Sequence, residues 1–221
     1  MLRIASFNIR HGLGRDGIFS LERTAAVIRA TRAPVIGLQE VDRFWDRSAG
    51  LDQSEELARL SGMHVSFSPT FTRGRSEYGI ALVAEEPLDT EFHALPRRAG
   101  EEPRGLISAR FDGLSILVTH LSQDAGARRR QIEAVLDIAE AAPPPVVILG
   151  DFNETRRGLK AFDAAGFSPG PLRAPTFPRP GLLWDRQIDF VFAGRGARVV
   201  GSKTLHTPAS DHLPLVADVA L

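Results

Sequence analysis

The residues of this chain that are able to do chemistry stand at the ends of apolar runs. Asn8 closes Leu2-Arg3-Ile4-Ala5-Ser6-Phe7, Glu40 closes Val35-Ile36-Gly37-Leu38-Gln39, and His120 follows Val118-Thr119. Asp151 and Asn153 flank Phe152 directly after Val146-Val147-Ile148-Leu149-Gly150, Asp189 sits inside Ile188-Asp189-Phe190-Val191-Phe192, and Asp211-His212 precedes Leu213-Pro214-Leu215-Val216. Asp and Asn also simply end strands and begin turns, so it is their number at such ends that argues for a shared site. Gathered together, they make four carboxylates, two carboxamides and two imidazoles, with no thiol. Four close negative charges need a counter-ion, and oxygen-rich ligands suit Mg²⁺ or Mn²⁺ rather than Zn²⁺. A hard cation with open positions polarises phosphoryl oxygens and lowers the pKa of bound water. An ionised Asp189 in so apolar a run needs a cation or donor beside it. His212 would supply one, and an imidazolium next to a phosphate stabilises the charge of a pentavalent transition state.

The elements that must position these groups follow from spacing. Val146 to Leu149, bounded by Pro143-Pro144-Pro145 and Gly150, has the pattern of a strand buried on both faces. Alternation along it predicts that Asp151 and Asn153 point one way and Phe152 the other. The carboxyl ends of such strands are where α/β sheets place their chemistry. Residues 2–8 and 35–40 are expected strands, separated by a helix over roughly 21–31 in which Leu21, Ala25 and Ile28 share a face. A second helix is expected over Gln53–Ser61, closed by Gly62. Further strands are expected over His64–Ser68, Tyr78–Ala84, Glu91–Leu95, Leu106–Phe111 and Ser115–His120, with Asp112-Gly113 as a hairpin turn. Ile132, Val135, Leu136 and Ala139 mark the most regular helix, with Arg128–Arg130 expected on its solvated face. Residues 166–182, rich in Gly and Pro, are expected to be an irregular loop, followed by strands over Gln187–Ala193 and Val199–Leu205. Strands outnumber helices, and hairpins mix with crossovers, which favours sheet packed on sheet with helices outside.

The 221 residues suit one domain, 1–221. Twenty-seven basic and 27 acidic side chains cancel, whereas a protein held on nucleic acid mainly by charge carries a basic excess. The absence of cysteine removes disulfides and thiolate chemistry. The first residues are too few and too polar for the apolar region of a signal peptide, and no run approaches the roughly 18 apolar residues of a membrane span. A soluble, cytoplasmic protein without integral membrane association is expected.

The ordered set Asn8, Leu38-Gln39-Glu40, Thr119-His120, Gly150-Asp151-Phe152-Asn153, Ile188-Asp189-Phe190 and Ser210-Asp211-His212 resembles the endonuclease/exonuclease/phosphatase superfamily. That group includes pancreatic-type deoxyribonucleases, apurinic endonucleases, sphingomyelinases and inositol polyphosphate 5-phosphatases. The resemblance implies an α/β (α+β) four-layer sandwich, in which two packed mixed β-sheets are flanked by helices. It implies Glu40 as principal metal ligand, with Asn8 beside it and Asp211 reaching the same Mg²⁺ or Mn²⁺ directly or through water. Asp151 corresponds to the carboxylate that orients or deprotonates the attacking water, and Asn153 to the carboxamide that binds the phosphoryl group. His212 corresponds to the imidazole on the phosphate, with Asp189 as its carboxylate partner. His120 matches a second histidine of the deoxyribonuclease and sphingomyelinase branches, and Glu77 is a possible partner for it. Small bacterial members often have Tyr-Gly-Asn-Ala where this chain has Tyr78-Gly79-Ile80-Ala81, so Ile80 removes a polar substrate contact. Glu102-Pro103-Arg104-Gly105 resembles a segment of the same members, in which Arg104 either faces the phosphate or is a surface arginine beside a turn.

The resulting expectation is a monomeric, divalent-metal-dependent phosphoesterase whose activated water attacks phosphorus in line. A phosphodiester in a small molecule or lipid headgroup is the expected substrate, with His120, Asn153 and Arg104 binding it. Nucleic acid is the less favoured substrate, although Arg73 and Arg75 before Tyr78 keep it open. A catalytically silent module that binds a phosphorylated ligand is the remaining alternative. His11, in a glycine loop, is expected to be structural, and Phe177 and Trp184 to be packing residues.

Overall fold

The computed structural model describes residues 1–170, 175–178 and 186–221. Among the described residues, eleven strands form two mixed sheets. The first contains β1 (Leu2–Asn8), β2 (Val35–Arg43), β3 (His64–Arg73), β4 (Ser76–Ala84), β10 (Arg198–Thr204) and β11 (Leu215–Ala220) in the order β10-β11-β1-β2-β4-β3. The second contains β5 (Thr90–Ala94), β6 (Gly105–Phe111), β7 (Leu114–His120), β8 (Val146–Asp151) and β9 (Asp189–Gly194), side by side in chain order. Each sheet has one parallel pair, β1 with β2 and β7 with β8. Each pair is joined by a crossover helix, α1 (Leu21–Thr31) in one sheet and α3 (Ala125–Ala141) in the other.

Side-chain alternation assigns the layers. Ile4, Val35, Ile80, Val118, Val147, Leu149 and Val191 meet between the sheets. The opposite face of the first sheet, with Ala5, Phe7, Ile36 and Leu38, packs on Leu21, Ala25 and Ile28 of α1 and on Leu57 of α2 (Gln53–Ser61). The outer face of the second sheet, with Leu117, Ile148, Phe190 and Phe192, packs on Ile132 and Val135 of α3 and Phe162 of α4 (Lys160–Ala164). This is the four-layer sandwich expected. Gly37 lets the sheets close, because a Cβ there would lie 2.8 Å from the Val118 side chain.

Helix ends follow capping chemistry. Ser20 accepts from the Arg23 N–H, Asp52 from those of Ser54 and Glu55, and Asp124 from that of Ala127, each satisfying backbone donors at a helix start. Gly62 ends α2 at φ +74°, as its position implied. Asp112 and Gly113, both at positive φ, turn the β6–β7 hairpin.

Three expectations are corrected. β2 does not end at Glu40 but runs on to Arg43, and β3 continues to Arg73, because the β3–β4 hairpin extends the pairing of both strands. Arg128 is not on a solvated face. It is buried, donates to the Ser122 and Gln123 carbonyls, and pairs with Glu154 at 2.7 Å, tying α3 to the loop after β8. Asn153 is not positioned by strand alternation, since β8 ends at Asp151 and Asn153 adopts φ +49° while its N–H donates to Asp151 Oδ1 at 2.8 Å. Trp184 and, within the Gly- and Pro-rich stretch, residues 171–174 and 179–182 lie outside the described residues.

Candidate active site

Four strands deliver their ends to one edge of the inter-sheet space. Ile4, Ser6 and Asn8 share the inner face of β1, as Ile116, Val118 and His120 do on β7 and Val147, Leu149 and Asp151 on β8. β9 runs antiparallel to β8, so its first residue, Asp189, lies directly opposite Asp151. Gly150 lets β8 pair with β7, which sets His120 beside Asp151: a Cβ at that position would stand 1.9 Å from the Thr119 carbonyl oxygen.

Glu40 reaches the site by a different device. Strict alternation would place it with Ile36 and Leu38 on the helix-covered face. Instead the pairing with β4 skips a residue between Gln39 and Val41, and Glu40 is the unpaired residue of a β-bulge at φ +59°. Its carboxylate turns towards Asn8, whose Nδ2 donates to Glu40 Oε1 and to Asp151 Oδ2, at 3.0 Å each. The Arg10 N–H holds Asn8 Oδ1 at 3.1 Å, which fixes the amide with its NH₂ towards the two acids.

His212 arrives on the loop before β11. The Ser210 hydroxyl donates to the Asn8 carbonyl and accepts from the His212 N–H, fastening that loop to the end of β1. His212 Nδ1 lies 2.9 Å from Asp189 Oδ2, and its Nε2 lies 3.7 Å from Asp151 Oδ2. Burial opposes the charged ring, but Asp189, Asp151 and Asp211 outweigh it and raise the His212 pKa to about 10. Burial raises Asp151 to about 7, reinforced by Asp189 and opposed by His212. Asp211 is more open, 3.6 Å from Arg10 Nε and 3.3 Å from the Ser210 hydroxyl.

His120 is the neutral histidine of the pair. Burial, then Arg104, then His212 hold it well below the ordinary value. Arg104 Nη1 is 2.9 Å from His120 Nδ1, and a guanidinium only donates, so the ring proton resides on Nε2, 3.5 Å from Asp151 Oδ2. Asn153 Nδ2, also a donor, lies 3.1 Å from that nitrogen without a hydrogen bond to it and donates instead to the Leu121 carbonyl. Arg104 is therefore not a surface arginine: it is 5% exposed and also pairs with Glu102 at 3.0 Å. Glu77 does not partner His120. It pairs with Arg43, directly across the β2–β4 ladder, because the strand register fixes that neighbour. His11 is strained at φ +43°, its carbonyl accepting from Gln53.

Two residues outside the expected set tie the site together. The buried Thr176 hydroxyl accepts from the Ile188 and Asp189 N–H groups, and its carbonyl accepts from the Leu213 N–H, so one residue braces both halves of the His212–Asp189 pair. No sequence signal marks it, since it lies in the Gly- and Pro-rich stretch. Phe177 packs on the His212 ring, with centroids 4.8 Å apart.

A hard divalent cation fits these residues. Glu40 and Asp151 both converge on the Asn8 amide, Asp189 Oδ1 is buried without a partner among the described residues, and burial pushes the Glu40 carboxyl above its ordinary pKa. Such a set is short of positive charge. Asp151, Asp189 and His212 also offer ligand atoms within 4.8 Å of one another, although the Nδ1–Asp189 hydrogen bond occupies one imidazole nitrogen.

The sequence model of the Endonuclease/Exonuclease/phosphatase family matches residues 5–212. The chain belongs to that family. The endonuclease/exonuclease/phosphatase members hydrolyse phosphoester bonds and generally use divalent metals. Solved structures share the fold of this member. An endonuclease/exonuclease/phosphatase from Beutenbergia cavernae DSM 12333 is 24% identical with a TM-score of 0.83, the match covering 100% of this chain and 71% of the other. A mannosyl-6-phosphatase from Bacteroides thetaiotaomicron VPI-5482 is 17% identical with a TM-score of 0.76, and an AP endonuclease from Archaeoglobus fulgidus is 20% identical with a TM-score of 0.73, each match covering 100% of both chains.

Proposed function

We propose that this chain is a divalent-metal-dependent phosphoesterase that prefers phosphodiesters and hydrolyses the P–O bond by in-line attack of water. The observation that carries the reading is the convergence of Asn8, Glu40, Asp151, Asp189 and His212 at one end of the two sheets. Glu40 would hold Mg²⁺ or Mn²⁺ with Asp211 and Asn8; when bound, the ion polarises the phosphoryl oxygen and lowers the pKa of water. Asp151 orients the water and accepts its proton, which a buried carboxylate with a raised pKa does more readily than an exposed one. His212, charged through Asp189, lies against the non-bridging oxygens and stabilises the charge they gain. Asn153 and the Nε2–H of His120 donate to the phosphoryl group, and Arg104 orients the His120 ring from behind. A diester brings one negative charge among these carboxylates where a monoester brings two, which favours the diester.

The protein acts in this reading as a cytoplasmic monomer on a small molecule or lipid headgroup; among the described residues no helix is long and apolar enough to cross a membrane. A nuclease is the second reading, supported by Arg73 and Arg75 at the β3–β4 hairpin and opposed by the balanced charge. The deciding experiment is hydrolysis of bis(p-nitrophenyl) phosphate and p-nitrophenyl phosphate by purified protein with Mg²⁺ or Mn²⁺. Diester turnover above monoester turnover is expected. Turnover of neither, with intact binding of a phosphorylated ligand, would leave the silent module.

A further inference from the structure

Next to the catalytic groups a concavity of about 860 Å³ opens between the edge strands of the two sheets, β3 and β5. Glu40 and Arg104 form its inner end, so it is continuous with the site. Its walls combine aromatic rings with charged groups, Arg47, Arg97 and Glu101 among them. Phe71 comes from β3 and Trp45 from the loop after β2, with ring centroids 6.1 Å apart and planes 18° from parallel, and Phe92 comes from β5 of the second sheet. Phe71 and Phe92 are 36% and 41% exposed. Large apolar rings left in water around a concave surface mark a place where something apolar is received.

The rings are held in place. Trp45 Nε1 donates to the Glu77 carbonyl at 2.8 Å, and the Arg47 guanidinium, itself anchored on buried Asp42, lies 5.2 Å from the Trp45 ring centroid. Phe92 lies against the bare backbone of Gly105, where a Cβ would stand 2.3 Å from its ring. Rigid rings lose little entropy when a flat partner settles on them, and stacking tolerates many ring chemistries because every aromatic ring has a π-face.

Building on the phosphoesterase reading, we infer that this concavity is a subsite for a planar aromatic ring carried on one ester arm of the substrate. The phosphoryl group lies beside Glu40, which the site shares with the concavity, and the ring is received among Trp45, Phe71 and Phe92. Neither arm's chemistry beyond planarity is specified by the walls, so a nucleobase and a simple aryl group are both accommodated.

Binding of non-hydrolysable probes tests this without relying on turnover. With Mg²⁺ present, calorimetry compares phenylphosphonate, cyclohexylphosphonate and methylphosphonate, which share a charged head. The wild-type protein is expected to bind the phenyl compound about ten-fold more tightly than the methyl one, with the cyclohexyl compound between them. Trp45→Ala with Phe71→Ala should bring the phenyl-to-methyl ratio close to one, whereas Trp45→Phe, which keeps a ring, should retain most of it. Circular dichroism confirms that each variant is folded; should the double variant unfold, Phe92→Ala replaces it, with the same fall in ratio expected. Equal binding of all three probes, no binding of any, or a ratio indifferent to these substitutions overturns the subsite. Selective phenyl binding by a protein that hydrolyses no ester would retain the subsite and overturn the phosphoesterase reading instead.

Discussion

Asp151 and Asp189 face each other across adjacent antiparallel strands, and His212 stands with one ring nitrogen towards each, 2.9 Å from Asp189 and 3.7 Å from Asp151. Like charges directly opposite in a sheet repel, and here the repulsion is turned to use. One acid keeps the imidazole charged, while burial, reinforced by that repulsion, leaves the other with a raised affinity for a proton.

Removal of that imidazole should therefore abolish chemistry rather than folding. His212→Ala is expected to lower kcat for bis(p-nitrophenyl) phosphate by at least about 10²- to 10⁴-fold, with an unchanged far-ultraviolet circular dichroism spectrum. Asp189→Asn should return the His212 pKa towards its ordinary value, followed by NMR titration of the ring. A fully active His212→Ala protein would remove the assigned mechanism.

Glu40 offers a test of the cation. Mg²⁺ or Mn²⁺ should raise the wild-type melting temperature by mass action, by about 5 °C at a hundred-fold excess over Kd. Glu40→Gln should lose most of that increment, and EDTA should reverse it in the wild type. An increment that survives the substitution would place the ion elsewhere.

Gly150 is the structural hinge of the site. Any Cβ there collides with the Thr119 carbonyl, and φ is +150°. Gly150→Ala is expected to cost about 3–5 kcal/mol in urea unfolding. It should also separate His120 from Asp151, its neighbour across the β7–β8 ladder, so that any protein that folds is slow.

His120 carries a pH signature. Its pKa is lower in the folded protein than in the unfolded chain, so between the two values the unfolded state binds the extra proton. Its contribution is thus absent at neutral pH, and stability is lost as pH falls below about 6.5. The slope is at most about 1.4 kcal/mol per pH unit. Urea midpoints from pH 7.5 to 5.5 should decline more steeply in the wild type than in His120→Gln, and parallel curves would refute a neutral buried His120.

The amino-acid sequence by itself determined which residues could meet and roughly where the elements lie. Asn8, His120 and Asp151 end strands whose alternation can be counted, and the helix end at Gly62 and the turn at Asp112-Gly113 are local chemistry. Tertiary structure decided which way the groups face. The bulge that turns Glu40 inward depends on how β4 pairs with β2, and the Asp151–Asp189 opposition depends on the register of β9. The same holds for Glu77 taken by Arg43, Arg104 buried against His120, and Arg128 drawn down to Glu154. Thr176 braces two segments that are far apart in the chain. A run of residues carries its own periodicity, but a partner across a sheet is chosen only when both strands are in place.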